Sequence, residues 1–214
     1  ARTRLVAMTH MSNVLGLEQD VAAVGAVCRR RGVLFLVDAA QTAGHVPLEP
    51  RKWGCTMLAM PGHKGLLGPH GTGALWVRSG VTLAPLRQGG TGSASESMFQ
   101  PRMMPDSLES GTLNLPGIAG LEAGMRFALA HAREAHETTT ALCGMMRDAL
   151  QNMAGVRVYT KAGASLLSFN VEGMASQVVA AALDERDIAV RGGLHCAPGV
   201  HRFLGTLNIG AVRV

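Results

Sequence analysis

Charge and aromatic rings are both scarce in this 214-residue chain: 16% of residues are charged and 4% are aromatic. So few rings leave no platform on which bases could stack. The net charge of +5 would suit an acidic partner, but the arginines are scattered and Arg29–Arg31 is their only run. Nucleic-acid binding is therefore not expected. No apolar run approaches the ~18–20 residues of a membrane span, and no leader pattern opens the chain. Membrane association is not expected either. Four cysteines, Cys28, Cys55, Cys143 and Cys196, show neither CxxC spacing nor the density of a disulfide scaffold. These absences predict a reducing, cytoplasmic setting. What is abundant is apolar: 47% hydrophobic residues, enough for a sizeable core in one large or two small domains.

Strands and helices alternate in the first third. Arg4–Met8 reads as a strand, Leu17–Arg31 as a helix ended by Gly32, and Val33–Val37 as a strand covered on both faces. Strand, helix, strand with short joints predicts a parallel sheet. A connection over Gln41–Gly54 leads to a third strand, Thr56–Met60, and Gly73–Val77 is expected to return antiparallel. Leu83–Ser110 is polar, rich in Gly and Met, and too long for an ordinary turn. From Leu115 to Met153 the pattern is helical, as one very long helix or two. Beyond it we expect strands at Val156–Tyr159, Leu166–Val171, Ile188–Val190 and Asn208–Val214, with a helix at Ser176–Arg186. The predicted fold class is α/β: a mainly parallel sheet with helices, then a small α+β domain, with residues 1–122 and 123–214 as the two parts. Strand-like patterns at both ends of the chain read as a piece of a longer one.

Chemistry is concentrated where strands end. Asp38 follows five apolar residues, and the carboxyl ends of parallel strands are where such sheets bind ligands. A buried N-cap aspartate is the competing reading. Gln41 lies three residues further, Asn13 follows the first strand, and Lys64 follows the third inside LAMPGHKGLLGPHGTG. An acid can hold a heterocyclic nitrogen protonated, amides can bond a phenolic oxygen, and a lysine can form an imine. Those are the requirements of pyridoxal phosphate. His195, Cys196 and His201 share one Gly/Pro-rich loop, but Cys55 and Cys143 show no spacing to complete a metal site, and no metal is expected. Cys28 and Cys143 read as structural, and the paired methionines Met103–Met104 and Met145–Met146 as gap fillers.

THMSNVLG, LFLVDAAQTAGHVPL and GHKGLLGPHGTGALWV, followed by LESGTLN and VRGGLHCAPGVHRFLGT, resemble in order and spacing the fold-type I pyridoxal-phosphate enzymes of the class V aminotransferase group. The likeness is strongest to cysteine desulfurases and selenocysteine lyases. It implies Lys64 as the Schiff-base lysine, Asp38 as partner of the pyridinium nitrogen, and Asn13 and Gln41 as ligands of the phenolic oxygen. It implies His63 at the cofactor phosphate, and Thr112 reaching a phosphate across a homodimer interface. Arg191 and Arg213 correspond to arginines near the substrate carboxylate, and Cys196 to the sulfur-accepting nucleophile, activated by neighbours such as Arg191, His195 or His201.

The implied activity is removal of sulfur from L-cysteine to give alanine and a persulfide on Cys196, which passes to an acceptor protein or small thiol. Two other readings stand beside it. One is a class V aminotransferase, lyase or epimerase in which Cys196 is incidental; the other is a non-catalytic or incomplete homologue. Pro61 departs from the pattern, standing where many relatives have a phosphate-binding serine. The phosphate-cupping glycine loop and the ring stacked on the cofactor would both lie upstream of residue 1.

Overall fold

A computed structural model describes residues 2–214. Strand β1 (Leu5–Thr9), helix α1 (Val21–Arg31), strand β2 (Leu34–Asp38), the short helix α2 (Pro50–Trp53) and strand β3 (Met57–Pro61) come first. β1, β2 and β3 are parallel neighbours, and β4 (Gly73–Val77) returns antiparallel beside β3. The register sets Thr9 beside Asp38 and Asp38 beside Ala59, so β1 and β2 finish level and β3 runs two residues further, to Pro61. The loops that leave them therefore open on one edge of the sheet.

Helix α1 starts at Val21 rather than Leu17. Residues 17–19 instead pair backward: Ser12 N–H donates to the Leu17 carbonyl, Gln19 N–H donates to the His10 carbonyl, and Glu18 bridges Met11. Asp20 then caps the helix by accepting from Ala23 N–H. Gly32 ends it in a left-handed conformation. α2 was not anticipated; Pro50 in its first turn supplies the fixed φ that starts it.

β2 is not covered on both faces. Phe35 and Val37 are fully buried, whereas Leu34 and Asp38 are exposed, an alternating pattern that predicts one packed face. The packed face joins Val21, Cys28, Phe35, Val37, Leu58 and Leu121 in one core. Thr56 stitches the sheet from below: its hydroxyl donates to the Phe35 carbonyl at 2.8 Å and accepts from Phe35 N–H at 2.7 Å.

Helix α3 (Leu115–Gln151) is a single unbroken helix of 37 residues running through residue 122. Asn114 caps it, accepting from Gly117 N–H. Its first third packs Leu121 and Met125 into the first core, and Leu150 near its end packs into a second. That second core lies under an antiparallel sheet ordered β5-β6-β8-β7, from β5 (Val156–Val158), β6 (Ser168–Val171), β7 (Arg191–Gly193) and β8 (Ala211–Arg213). Helix α4 (Ser176–Asp184) covers it, and helix α5 (Pro198–Leu204), also unanticipated, follows β7.

The expected strand over Ile188–Val190 is absent, and pairing begins at Arg191. Asp187 turns the chain at φ 58°, and Ile188 N–H donates back to the Leu183 carbonyl, so these backbone groups close α4. Among the described residues, no helix is long and apolar enough to cross a membrane.

Candidate active site

The turn after β3 brings Lys64 to the open edge of the parallel sheet. Gly62 N–H donates to the Thr72 carbonyl and Gly68 N–H to the Gly62 carbonyl, so the Gly/Pro-rich segment is knotted to the start of β4. The adjoining loop from β2 comes unusually near. A Cβ on Gly44 would lie 1.9 Å from the Gly65 carbonyl oxygen, and one on Gly65 would lie 2.4 Å from that of Ala43. Glycine at both positions lets the two backbones touch, and that contact brings the Gln41 loop beside Lys64.

The opposite wall comes from the small sheet. Arg191 and Arg213 are cross-strand neighbours on β7 and β8. Two like charges so placed repel unless an anion sits between them. Burial chiefly, and Arg191 next, push the Arg213 guanidinium below its ordinary pKa, while Cys196 acts in the opposite direction. After β7 the chain turns sharply. His195 and Cys196 are consecutive side-chain-bearing residues at φ 50° and 58°, a region that costs ~1–2 kcal/mol per residue. His195 is buried, and its Nε2 donates to the Ala211 carbonyl at 2.9 Å. Burial is the main cause holding its pKa below the ordinary histidine value; Arg213, His201 and Arg191 add to that, against the Ala211 contact.

One cavity of about 460 Å³ lies between these walls. Asn13, Gln41, Lys64, Arg191, Cys196 and Arg213 all line it. These are six of the nine residues singled out from the sequence, drawn from positions up to 200 apart. Cys196 is exposed rather than packed away, unlike Cys28 and Cys55. Asn13 carries an additional duty: its Nδ2 donates to the His195 carbonyl at 2.5 Å, and its own carbonyl accepts from Arg213 Nη1 at 2.9 Å.

Three expected residues do not line the cavity. Asp38 ends β2 and is exposed, not buried; its Oδ1 accepts from Ala40 N–H at 2.9 Å and so shapes the turn leading to Gln41. His63 stacks on His70 with ring centroids 4.9 Å apart. Thr112 lies in the exposed connection before α3. Neither His195 nor His201 offers a cation to Cys196. Burial holds both below the ordinary histidine pKa, and His201 Nδ1 is engaged with the Thr206 hydroxyl at 2.8 Å. The cationic side chains that line the cavity with the thiol are Lys64, Arg191 and Arg213.

His45 lines the cavity and was not anticipated. Its ring packs against the backbone at Gly65, where a Cβ would lie 2.6 Å from Nε2. The signal was its place in DAAQTAGHVPL, four residues beyond Gln41. Among the described residues, no group of three or more His, Cys, Asp or Glu is arranged to hold a metal.

Comparison with known proteins bears on the fold and the family. The chain is 39% identical over 213 residues to a probable cysteine desulfurase of Methanothermobacter thermautotrophicus, which covers 91% of this chain and 51% of that protein. It is 36% identical over 206 residues to a cysteine desulfurase of Klebsiella pneumoniae, with 92% and 50% covered. Among solved structures, a cysteine desulfurase of Escherichia coli in an S-sulfonic acid form superposes with a TM-score of 0.90 at 30% identity, over 100% of this chain and 54% of that one. An apo cysteine desulfurase of Thermococcus onnurineus gives 0.83 at 31%, over 99% and 54%. The chain spans about half the length of the relatives it matches. The family described as aminotransferase class-V matches residues 1–214, and with an α/β fold of this kind closing on Lys64 the chain belongs to that family.

Proposed function

We propose that the whole protein is a pyridoxal-phosphate-dependent cysteine desulfurase, and that these residues carry much of its active site. The observation that supports this most is the meeting of Lys64 and Cys196 in one cavity that the paired arginines also line. A transaminase needs the amine and the arginines; only sulfur transfer gives the exposed thiol work.

The residues present fit the cofactor at its aldehyde and phenolic ends. Lys64 supplies the amine, and Gln41 and the second N–H of Asn13 remain available to an oxygen in the cavity. Asp38 is assigned as the acid for a ring nitrogen, with His63 and Thr112 assigned to the phosphate and Thr112 acting across a homodimer. When bound, the cofactor withdraws electrons from the α-carbon of an amino-acid substrate. The chain's own residues do the rest. Arg191 and Arg213 hold the substrate carboxylate by charge-assisted hydrogen bonds. Lys64, once free, carries the proton at the α-carbon. Cys196, as thiolate, attacks the sulfur of cysteine. A bond forms between the two sulfurs as the substrate's carbon–sulfur bond breaks, and its electron pair stays with carbon, which takes up a proton. The products are alanine and a Cys196 persulfide, so no outside oxidant or reductant is needed. The persulfide then passes to a sulfur-acceptor protein or small thiol in the cytoplasm. Residues 1–122 form part of the cofactor-binding domain and 123–214 the small domain, the division falling inside α3.

The test is a visible spectrum of the full-length protein after addition of pyridoxal phosphate. A band near the violet edge, lost in Lys64→Ala, is expected. Cys196→Ala is expected to keep the band and lose sulfide release from cysteine. Sulfide release undiminished in Cys196→Ala would refute the desulfurase assignment, and absence of the band in the unmodified protein would refute the cofactor.

A further inference from the structure

The loop that presents Cys196 is conformationally costly and needs an outside hold. His195 and Cys196 occupy the left-handed region in succession, at φ 50° and 58°, and neighbours must over-determine such a pair for it to persist. One hold is local, the His195 Nε2 hydrogen bond to Ala211 at the start of β8. The other comes from the far end of the chain, where Asn13 Nδ2 donates to the His195 carbonyl 182 residues away.

Asn13 is itself well placed to serve as an anchor. Its turn closes without its side chain: Ser12 Oγ accepts from Val14 and Leu15 N–H, and Gly16 N–H donates to the Ser12 carbonyl. The carboxamide is therefore left for another partner. Arg213 Nη1, donating to the Asn13 carbonyl from β8, fixes the anchor to the same small sheet that carries the loop. The three residues form a closed bracket: β8 holds Asn13, Asn13 holds His195, and His195 holds β8.

We propose that Asn13 is a positioning residue for Cys196: by donating to the His195 carbonyl it keeps the His195–Cys196 turn in the left-handed conformation that presents the thiol to the Lys64 cavity. The proposal rests on the reading of Cys196 as the sulfur acceptor and assigns to Asn13 a task separate from contact with the cofactor. It also explains the residue type. An aspartate of the same shape cannot donate when ionised, and it would set a negative charge against a carbonyl oxygen.

Hydrogen exchange of the full-length protein without cofactor, read by mass spectrometry, tests this. The reporter is the Ala197 amide, which donates to the Leu194 carbonyl across the turn at 2.9 Å. At about pH 7.5, Asn13→Ala and Asn13→Asp are expected to exchange there about tenfold faster than the unmodified protein, the factor corresponding to the loss of a hydrogen bond worth ~1.4 kcal/mol. Peptides from α1 serve as control and are expected not to change. Unchanged exchange in Asn13→Ala would overturn the proposal. So would an Asn13→Asp protein that exchanges there as slowly as the unmodified one, since it keeps the shape and lacks the donor, or acceleration shared by α1. Because the readout needs no cofactor, a protein that fails to load pyridoxal phosphate still reports on Asn13.

Discussion

Lowering the pH from about 7.5 to about 5.5 is expected to destabilise this fold through three buried imidazoles. His10 is 5% exposed, with Nδ1 on the Thr42 hydroxyl at 3.0 Å and its ring 4.6 Å from that of Trp53. His195 is 6% exposed and His201 fully buried. Nε2 of His195 gives its proton to Ala211, so Nδ1 is a bare lone pair, with no partner among the described residues. Protonating it would bury an N–H without an acceptor beside two arginines. Nε2 of His201 likewise has no partner among them. Burial is the leading cause of a lowered pKa in all three; Glu18 opposes it at His10, and the Leu194 backbone opposes it at His201. A base that protonates less readily when folded contributes stability above the unfolded value of about 6.5 and loses it as pH falls from there toward the folded values. One unit below 6.5, each imidazole that stays neutral in the native state costs up to ~1.4 kcal/mol relative to the unfolded chain, and the three together up to ~4 kcal/mol. Against a typical total of 5–15 kcal/mol that is a large share. Urea unfolding of the full-length protein, followed by far-UV circular dichroism at both pH values, measures it. His10→Gln is expected to remove about a third of the loss, and other titrating groups contribute equally to both proteins. If His10→Gln changes the pH dependence by less than ~0.5 kcal/mol, the reasoning fails.

Three further perturbations follow from single contacts. Gly65→Ala drives a methyl group to within 2.4 Å of the Ala43 oxygen and 2.6 Å of His45 Nε2. It is expected to cost ~1–3 kcal/mol by overpacking and to weaken cofactor loading, seen as a larger concentration at half-maximal violet-edge absorbance. Thr56→Val leaves Phe35 N–H without its acceptor inside the sheet and is expected to lower stability by ~1–3 kcal/mol, read from the denaturation midpoint. Among this chain's thiols, an aromatic disulfide reagent at about pH 8 is expected to react first with Cys196 and later with the half-buried Cys143, whose pKa burial raises. Cys28 and Cys55 should react only on unfolding, since both are buried and burial pushes the Cys55 thiol up to about 11.

The parallel part of the fold was legible because its signals are local. A five-residue aliphatic run, an amphipathic helix ended by glycine and a Pro-Gly break each announce themselves within a few residues. The smaller sheet was less so. Arg191–Gly193 has a strand's geometry but not its composition; it pairs because Gly192 leaves room for the Ser176 carbonyl, which a Cβ would approach to 2.5 Å. That constraint comes from α4, far from the segment itself. At the site, Lys64, Cys196 and the two arginines were readable as motifs. Asn13 was read for one of its partners only, because a hydrogen bond across 182 positions leaves no periodicity to detect. His45 went unnoticed for a related reason: its effect is exerted on a glycine's neighbour space, and nothing in its own flanking residues marks it.

Helix α3 has a mechanical consequence. At 1.5 Å per residue its 37 residues make a rod about 55 Å long, whose own Leu121 and Met125 enter the first core and whose Leu150 enters the second. Tilted about its capped start at Asn114, such a rod would act as a lever. A swing of about 5° there carries the far tip roughly 5 Å, comparable with the breadth of a 460 Å³ cavity. Small tilts at the first core would therefore become movements of several ångströms at the second.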